Sequence, residues 1–244
     1  MVESIVPHGA SYWTRTAEIS TLLPDGTPAS YFLKVSQGDN GRNMTAGEYA
    51  SMSALYGVMP KFVPVPIGCG SYAKDPDIHF FVCELVNMTD EVPEIQAFCK
   101  QLAQLHYKGL SPNGKYGFHV PTYKGTIPQY PYWHDTWEES FHHSMKWFVY
   151  AEERSQGVDE EMRELCQGIF DKVIPRLLRP LETGGRTLQP RLIHGDIWAG
   201  NCSTNIETNQ PVIYDGACLY AHNESTFPQT PVSGSVMHAH GTKP

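Results

Sequence analysis

The chain has 244 residues, 41% of them hydrophobic and 18% charged, with a formal net charge of −8. That supplies one large domain or two small lobes around a cleft. The acidic balance argues against a nucleic-acid or anionic-membrane partner, because both need a positive field.

Pro7-His8-Gly9-Ala10-Ser11 is a small-residue loop ahead of the first strand candidate, Thr14 to Thr21. Its backbone N–H groups could cover phosphates, with Gly9 and Ser11 as the candidates. A single glycine also fits an ordinary turn. Pro24-Asp25-Gly26 signals a turn, because proline presets its φ and glycine supplies a positive one. A strand over Ala29 to Val35, a helix over Met44 to Tyr56 and a strand over His79 to Leu85 follow. The end of the last strand, Glu84-Leu85-Val86, reads as a hinge against which an adenine could stack. A plain core strand running into a linker fits the same residues.

From about residue 90 the apolar period becomes helical: Ile95, Phe98, Leu102, Leu105; then Trp137, Phe141, Met145, Phe148; then Met162, Leu165, Ile169, Val173, until Pro175 intervenes. Ser111 to Tyr132 reads as a long irregular connection. Short strands are expected near Arg191 to His194 and Pro211 to Tyr214. Ser225 to Pro244 lacks apolar periodicity and is expected to be disordered. The expected organisation is an N-lobe over 1–86, a mainly helical C-lobe over 87–224 and a tail over 225–244. No apolar run reaches the roughly 20 residues of a spanning helix. The N-terminus lacks a basic region and an apolar core, so no signal peptide is expected. The six cysteines form no C-x-x-C pair, which points to reduced thiols and a cytoplasmic location.

The chemistry concentrates in His194-Gly195-Asp196-Ile197-Trp198-Ala199-Gly200-Asn201 and the later Val212-Ile213-Tyr214-Asp215-Gly216. A hairpin turning at Asn205 to Gln210 would bring Asn201 and Asp215 together. Two oxygen ligands suit magnesium, which takes one or two carboxylates plus phosphate oxygens. Asp196, on the preceding loop, is placed to accept a proton from an attacking hydroxyl. Protein kinases arrange a catalytic loop and a following metal-binding aspartate this way. Upstream, Lys34 interrupts an apolar strand, and Glu48 shares a helical face with Met44, Met52 and Leu55. Burying either charge alone is costly, so the two are expected to pair, as in the ion pair that positions ATP phosphates. A lysine that snorkels to solvent and a glutamate at the edge of its helical face would satisfy them differently. The histidines show no zinc-ligand spacing.

These motifs resemble those of the fructosamine (ketosamine) 3-kinases. Residues 194–201 are similar to the family's H-G-D-L-W-x-x-N, and Asp215 to Glu224 to its D-P-A-x-x-Y-G-H-x-E, with Gly216 in place of the proline. Lys115 to His119 matches K-F-G-F-H, and Trp133 to Phe141 the W-x-x-x-W-x-x-x-F that follows. The resemblance covers about residues 5 to 224. It implies an α+β, bilobal, protein-kinase-like fold of the aminoglycoside-phosphotransferase type, with an incomplete C-lobe because the family pattern is read to stop at Glu224. It implies ATP and Mg2+ as cofactors. The substrate would be a ketosamine, on a glycated protein lysine or free, phosphorylated at the sugar 3-hydroxyl. Another small-molecule kinase of the aminoglycoside or choline type, or an inactive fragment, are the competing readings.

Overall fold

The computed structural model describes residues 1–9, 11 and 13–226. Its first part is a five-stranded antiparallel sheet made of β1 (Val2–Pro7), β2 (Arg15–Leu22), β3 (Pro28–Gln37), β4 (Pro66–Ser71) and β5 (Ile78–Glu84), in the order β1-β2-β3-β5-β4. The Pro24 turn forms as expected, with the Thr27 N–H donating to the Asp25 carboxylate at 3.0 Å. β1 and β4 have no counterpart in the sequence reading. β1 is exposed along its whole length, and β4 carries two glycines, so neither shows clean alternation.

Helix α1 (Gly38–Val58) packs on β3, β4 and β5 and is longer at both ends than expected. Met52 and Leu55 on its inner face are 1% and 0% exposed. They join Phe62, Phe81, Leu102, Leu105, Phe118, Leu192 and Ile213 in one core that runs from the sheet into the second part of the chain. At Gly47 the helix touches the backbone beyond: a Cβ there would stand 2.4 Å from the Pro121 carbonyl oxygen. Only glycine permits that approach.

The second part is mainly helical, with α2 (Ile95–Lys108), α3 (Trp137–Gln156) and α4 (Glu160–Gly168). Side chains cap each N-terminus: Glu94 for α2, Thr136 for α3 and Asp159 for α4. Pro175 does not end the last helix as expected. The chain widens into a π turn over Ile169–Val173 and continues as α5 (Ile174–Leu178). Proline removes one N–H and crowds the preceding turn, and a locally wider helix accommodates both.

The expected irregular connection contains a two-residue hairpin, β6 (Tyr123–Lys124) with β7 (Ile127–Pro128). The two expected C-terminal strands are present, each with a partner. β8 (Arg191–Ile193) pairs with β11 (Leu219–Ala221), and β10 (Gln210–Ile213) with β9 (Cys202–Asn205). The fold continues past Glu224: Asn223–Thr226 form a 3-10 turn, and the Thr226 hydroxyl lies 2.9 Å from His106 Nε2. Ser225 and Thr226 are therefore not part of a disordered tail, and 227–244 lie outside the described residues. No described helix is long and apolar enough to cross a membrane.

Candidate active site

A cleft of about 510 Å³ lies between the sheet and the helical part. Every residue singled out from the sequence lines it: Gly9, Ser11, Lys34, Glu48, Glu84, Leu85, Val86, Asp196, Asn201 and Asp215.

Lys34 sits mid-strand in β3, opposite Phe81 of β5, and is buried. Its Nζ donates to Glu48 Oε1 at 2.7 Å, as the paired reading expects, and also to Asp215 Oδ1 at 2.6 Å. Burial alone would lower the lysine pKa, but the two carboxylates outweigh it and raise it above the usual value. Burial pushes Glu48 upward, opposed chiefly by Lys34.

The loop after β8 is tied to the segment around Asp215 by its own backbone. His194 is fully buried, and burial holds its pKa down at about 4, so the imidazole is neutral. A carbonyl can only accept, so Nε2 carries the proton and donates to the Tyr214 carbonyl at 2.9 Å. Nδ1 then accepts the Asp196 N–H at 3.3 Å. Gly195 takes φ +82°, and a Cβ there would meet the Ala217 carbonyl oxygen at 2.0 Å. No other residue fits that crossing.

Asn201 donates Nδ2 to the Asp196 carbonyl at 2.8 Å and to its Oδ2 at 3.0 Å. Both partners are acceptors, which fixes the amide and turns its oxygen away from Asp196. The Tyr214 N–H donates to the Asn201 carbonyl at 3.1 Å, so the β9–β10 hairpin brings Asn201 beside Asp215 as expected. Asp215 itself adopts φ 59°, a left-handed turn just after the strand. For Asp196, burial raises the carboxyl pKa, opposed first by the charge of Lys124 and then by the Asn201 hydrogen bond.

At the hinge, the Glu84 carboxylate accepts the Val65 N–H at 3.1 Å, and the Leu85 N–H goes to the Ser30 carbonyl at 3.2 Å. Because Val65 turns to the carboxylate, the Glu84 carbonyl lacks that ladder donor. This strand end would therefore act on a ligand through backbone groups, not through the Glu84 side chain. In the loop before β2, the Ser11 hydroxyl accepts from the Trp13 and Thr14 N–H groups at 3.3 and 3.2 Å. Ala10 lies outside the described residues.

The donor set fits magnesium. Asn201 and Asp215 offer oxygen only, and among the described residues no cluster of three His, Cys, Asp or Glu could form a cage for a softer metal. The sequence reading missed Thr16, Phe32, Tyr123 and Gly125, which also line the cleft. Tyr123 and Gly125 come from the stretch read as irregular. Its one local cue was the Lys124-Gly125 pair, a turn signal inside a polar run.

A lysine of the β-sheet paired with a glutamate of the helix packed on it, above a helical part whose loops carry Asp196, Asn201 and Asp215, defines a protein-kinase-like fold. The chain belongs to the fructosamine kinase family, whose family model matches residues 17–239. That match passes Glu224 and corrects the expectation that the family pattern stops there. The chloroplastic protein-ribulosamine 3-kinase of Oryza sativa subsp. japonica is 30% identical over 202 residues, 82% of this chain and 56% of the relative. The ketosamine-3-kinase of Mus musculus is 28% identical over 222 residues, 79% of this chain and 66% of the relative. The chain thus spans little more than half the length of the rice relative. Among solved structures, a Thermobifida fusca protein assigned as a fructosamine-3-kinase superposes with a TM-score of 0.67 at 23% identity, covering 92% of this chain and 72% of that one. An aminoglycoside phosphotransferase in ternary complex with AMP-PNP and hygromycin B superposes with a TM-score of 0.58 at 13% identity, covering 91% and 70%. At these identities both bear on the fold alone.

Proposed function

We propose that this chain is an ATP-dependent kinase that phosphorylates the 3-hydroxyl of ketosamines, ribulosamine or fructosamine, on glycated protein lysines or in free form. The observation that carries the reading is the convergence of Asp196, Asn201, Asp215, Lys34 and Glu48 on one cleft. Names of the relatives support the acceptor class: the rice protein is a protein-ribulosamine 3-kinase and the mouse protein a ketosamine-3-kinase.

Asp196 accepts the proton of the acceptor hydroxyl as its oxygen bonds to the γ-phosphorus, while the bond from that phosphorus to the bridging oxygen breaks and ADP leaves. Asn201 orients the Asp196 carboxylate through the 3.0 Å hydrogen bond. Lys34, held by Glu48, binds the nucleotide phosphates, and the backbone at Glu84 to Val86 faces the base. Asn201 and Asp215 would hold magnesium, which when bound neutralises phosphate charge.

Incubating the purified chain with ATP, magnesium and a ribulosamine-lysine peptide, beside an aminoglycoside and choline, tests the reading. ADP release with the peptide alone is expected. Turnover restricted to the aminoglycoside or choline would assign another small-molecule kinase on the same fold.

A further inference from the structure

Trp13, just ahead of β2, lines the cleft, and so do Tyr123 and Gly125 of the β6–β7 hairpin. The two segments meet directly. A Cβ on Gly125, which has φ +59°, would stand 3.3 Å from Trp13 Cε2 and Nε1 and 3.4 Å from Cζ2. Glycine therefore leaves the space in which the indole lies.

Both sides of this contact are anchored. The Ser11 hydroxyl accepts from the Trp13 and Thr14 N–H groups and, at 2.9 Å, from the Thr14 hydroxyl. The Asn40 amide of α1 donates to the Thr126 carbonyl at 3.4 Å. Gln129 Nε2 donates to the Thr122 hydroxyl at 2.9 Å and to the Ala217 carbonyl at 2.7 Å, and the Thr122 hydroxyl donates to the Cys218 carbonyl at 3.1 Å. Ala217 and Cys218 closely follow Asp215 in the chain. The hairpin is thereby held to the segment that carries Asp215, and the indole rests on the hairpin. Such support from neighbouring hydrogen bonds is what a ligand-positioning side chain needs.

Strand register gives the place of Trp13 along the cleft. In β3, Tyr31 stands opposite Glu84, Lys34 opposite Thr16, and Val35 opposite Arg15, the first residue of β2. The hinge and the start of β2 therefore lie about 14 Å apart along the strand. Trp13 leaves the sheet at the end away from the hinge. A nucleotide with its base at Glu84 to Val86 and its phosphates at Lys34 runs toward that end. The acceptor hydroxyl has to arrive beyond the terminal phosphate, where Trp13, Tyr123 and Gly125 form a wall.

Trp13 is 56% exposed, which leaves a large indole face for a ligand. An indole offers apolar area to C–H groups and a negative π face to a cation. A ketosamine presents both, as sugar C–H groups beside a protonated amine.

We propose that Trp13 is a specificity-determining residue of this site, whose indole packs against the sugar and the adjoining ammonium of the acceptor. Gly125 provides the room for it. No bond to Trp13 forms or breaks. The inference rests on the kinase reading above and names a contact for its acceptor.

The test uses the whole chain with Trp13→Leu, which keeps apolar bulk, and Trp13→Phe, which keeps a π face. Affinity for a ribulosamine-lysine peptide in the presence of magnesium-ADP, and for magnesium-ATP, is measured by calorimetry, beside turnover and thermal unfolding. Trp13→Leu is expected to weaken the peptide at least about tenfold. Magnesium-ATP affinity should stay within about twofold, and kcat at saturating peptide within about threefold, because the contact is the same before and during transfer. Tm should move by no more than about 2 °C, as for an exposed substitution. Trp13→Phe should recover part of the peptide affinity. Unchanged peptide affinity in Trp13→Leu would overturn the proposal. So would an equal or larger loss for magnesium-ATP, which would place the indole over the nucleotide. Trp13→Phe no better than Trp13→Leu would reduce the contact to bulk and overturn the stacking. A fall in Tm parallel to every other loss would make Trp13 a structural residue. Peptide binding that depends on Trp13 in a chain that releases no ADP would support the contact and overturn the kinase reading. Absence of peptide binding by the unaltered chain would overturn both.

Discussion

Lys34 and Asp215 stand 181 residues apart in the chain and 2.6 Å apart in space. With Glu48 at 2.7 Å on the same ammonium, they join β3, α1 and the loop after β10 through a single cation. Removing that cation leaves Glu48 uncompensated and beside a second carboxylate. Lys34→Met should therefore cost about 3–5 kcal/mol of stability, in the range for breaking a buried pair. Glu48→Gln added to it should recover part of that loss. A double-mutant cycle by denaturant unfolding should give a coupling above about 1 kcal/mol; additive losses would refute a shared unit.

Asp196→Asn should lower kcat by at least about 10²-fold, the lower end for a general base. The amide is nearly isosteric, and the Asp196 backbone bonds to Asn201 and His194 do not depend on the carboxylate. ATP affinity should hold. Steady-state kinetics beside calorimetry separates the two, and near-normal turnover would remove Asp196 from the role of base.

Asp215→Ala should weaken nucleotide binding when magnesium is present and leave metal-free binding largely unchanged. The predicted difference follows from the proposed role of Asp215 as a magnesium ligand, beside its bond to Lys34. Titrations with magnesium and with EDTA give the comparison. Equal losses in both would indicate a disturbed fold.

Acid should destabilise the protein through His194. Its folded pKa of about 4 lies below the ordinary 6.5. The unfolded chain takes up the proton first as pH falls, so stability is complete above about pH 6.5 and is lost progressively toward pH 4. The total is roughly 3 kcal/mol for this group. His106, also held at about 4 by burial, acts in the same direction. Thermal unfolding from pH 7 to 4 should show the fall. In His194→Gln the slope over that window should shrink, and an unchanged slope would exclude His194 as its source.

Gly195→Ala should cost more than about 2 kcal/mol, combining a left-handed φ with backbone overlap at the Ala217 carbonyl. Because Gly195 adjoins Asp196, kcat should fall as well. Unfolding midpoints near the unaltered value would mean that the loop can relax away from β11.

Much of the site was legible because its parts are local. His194 to Asn201 is one short loop, and the spacing of Asp196 and Asn201 belongs to it. The hairpin that returns Asp215 beside Asn201 needs only a turn between two short strands. The pairing of Lys34 with Glu48 was legible for a different reason: each is a lone charge on an apolar element, and burial demands a partner. β1, β4 and the β6–β7 hairpin were not legible. Their residues are exposed, glycine-rich or only two long, so the periodicity that marks half-buried strands is missing. Pro175 misled because a proline's local penalty can be absorbed by a π turn when neighbouring side chains such as Phe170 and Ile174 are buried.

The sequence by itself determined the family and the short loop and hairpin that carry Asp196, Asn201 and Asp215, because residue type and short spacing are sufficient for those. Tertiary structure alone decided that Lys34 is shared between Glu48 and Asp215, that the Glu84 carboxylate is committed to Val65, and that His194 is a neutral Nε2–H tautomer. Each depends on burial and on contacts between segments far apart in the chain. Electrostatic strength and protonation are set by the surrounding dielectric and neighbours, which no local run of residues encodes.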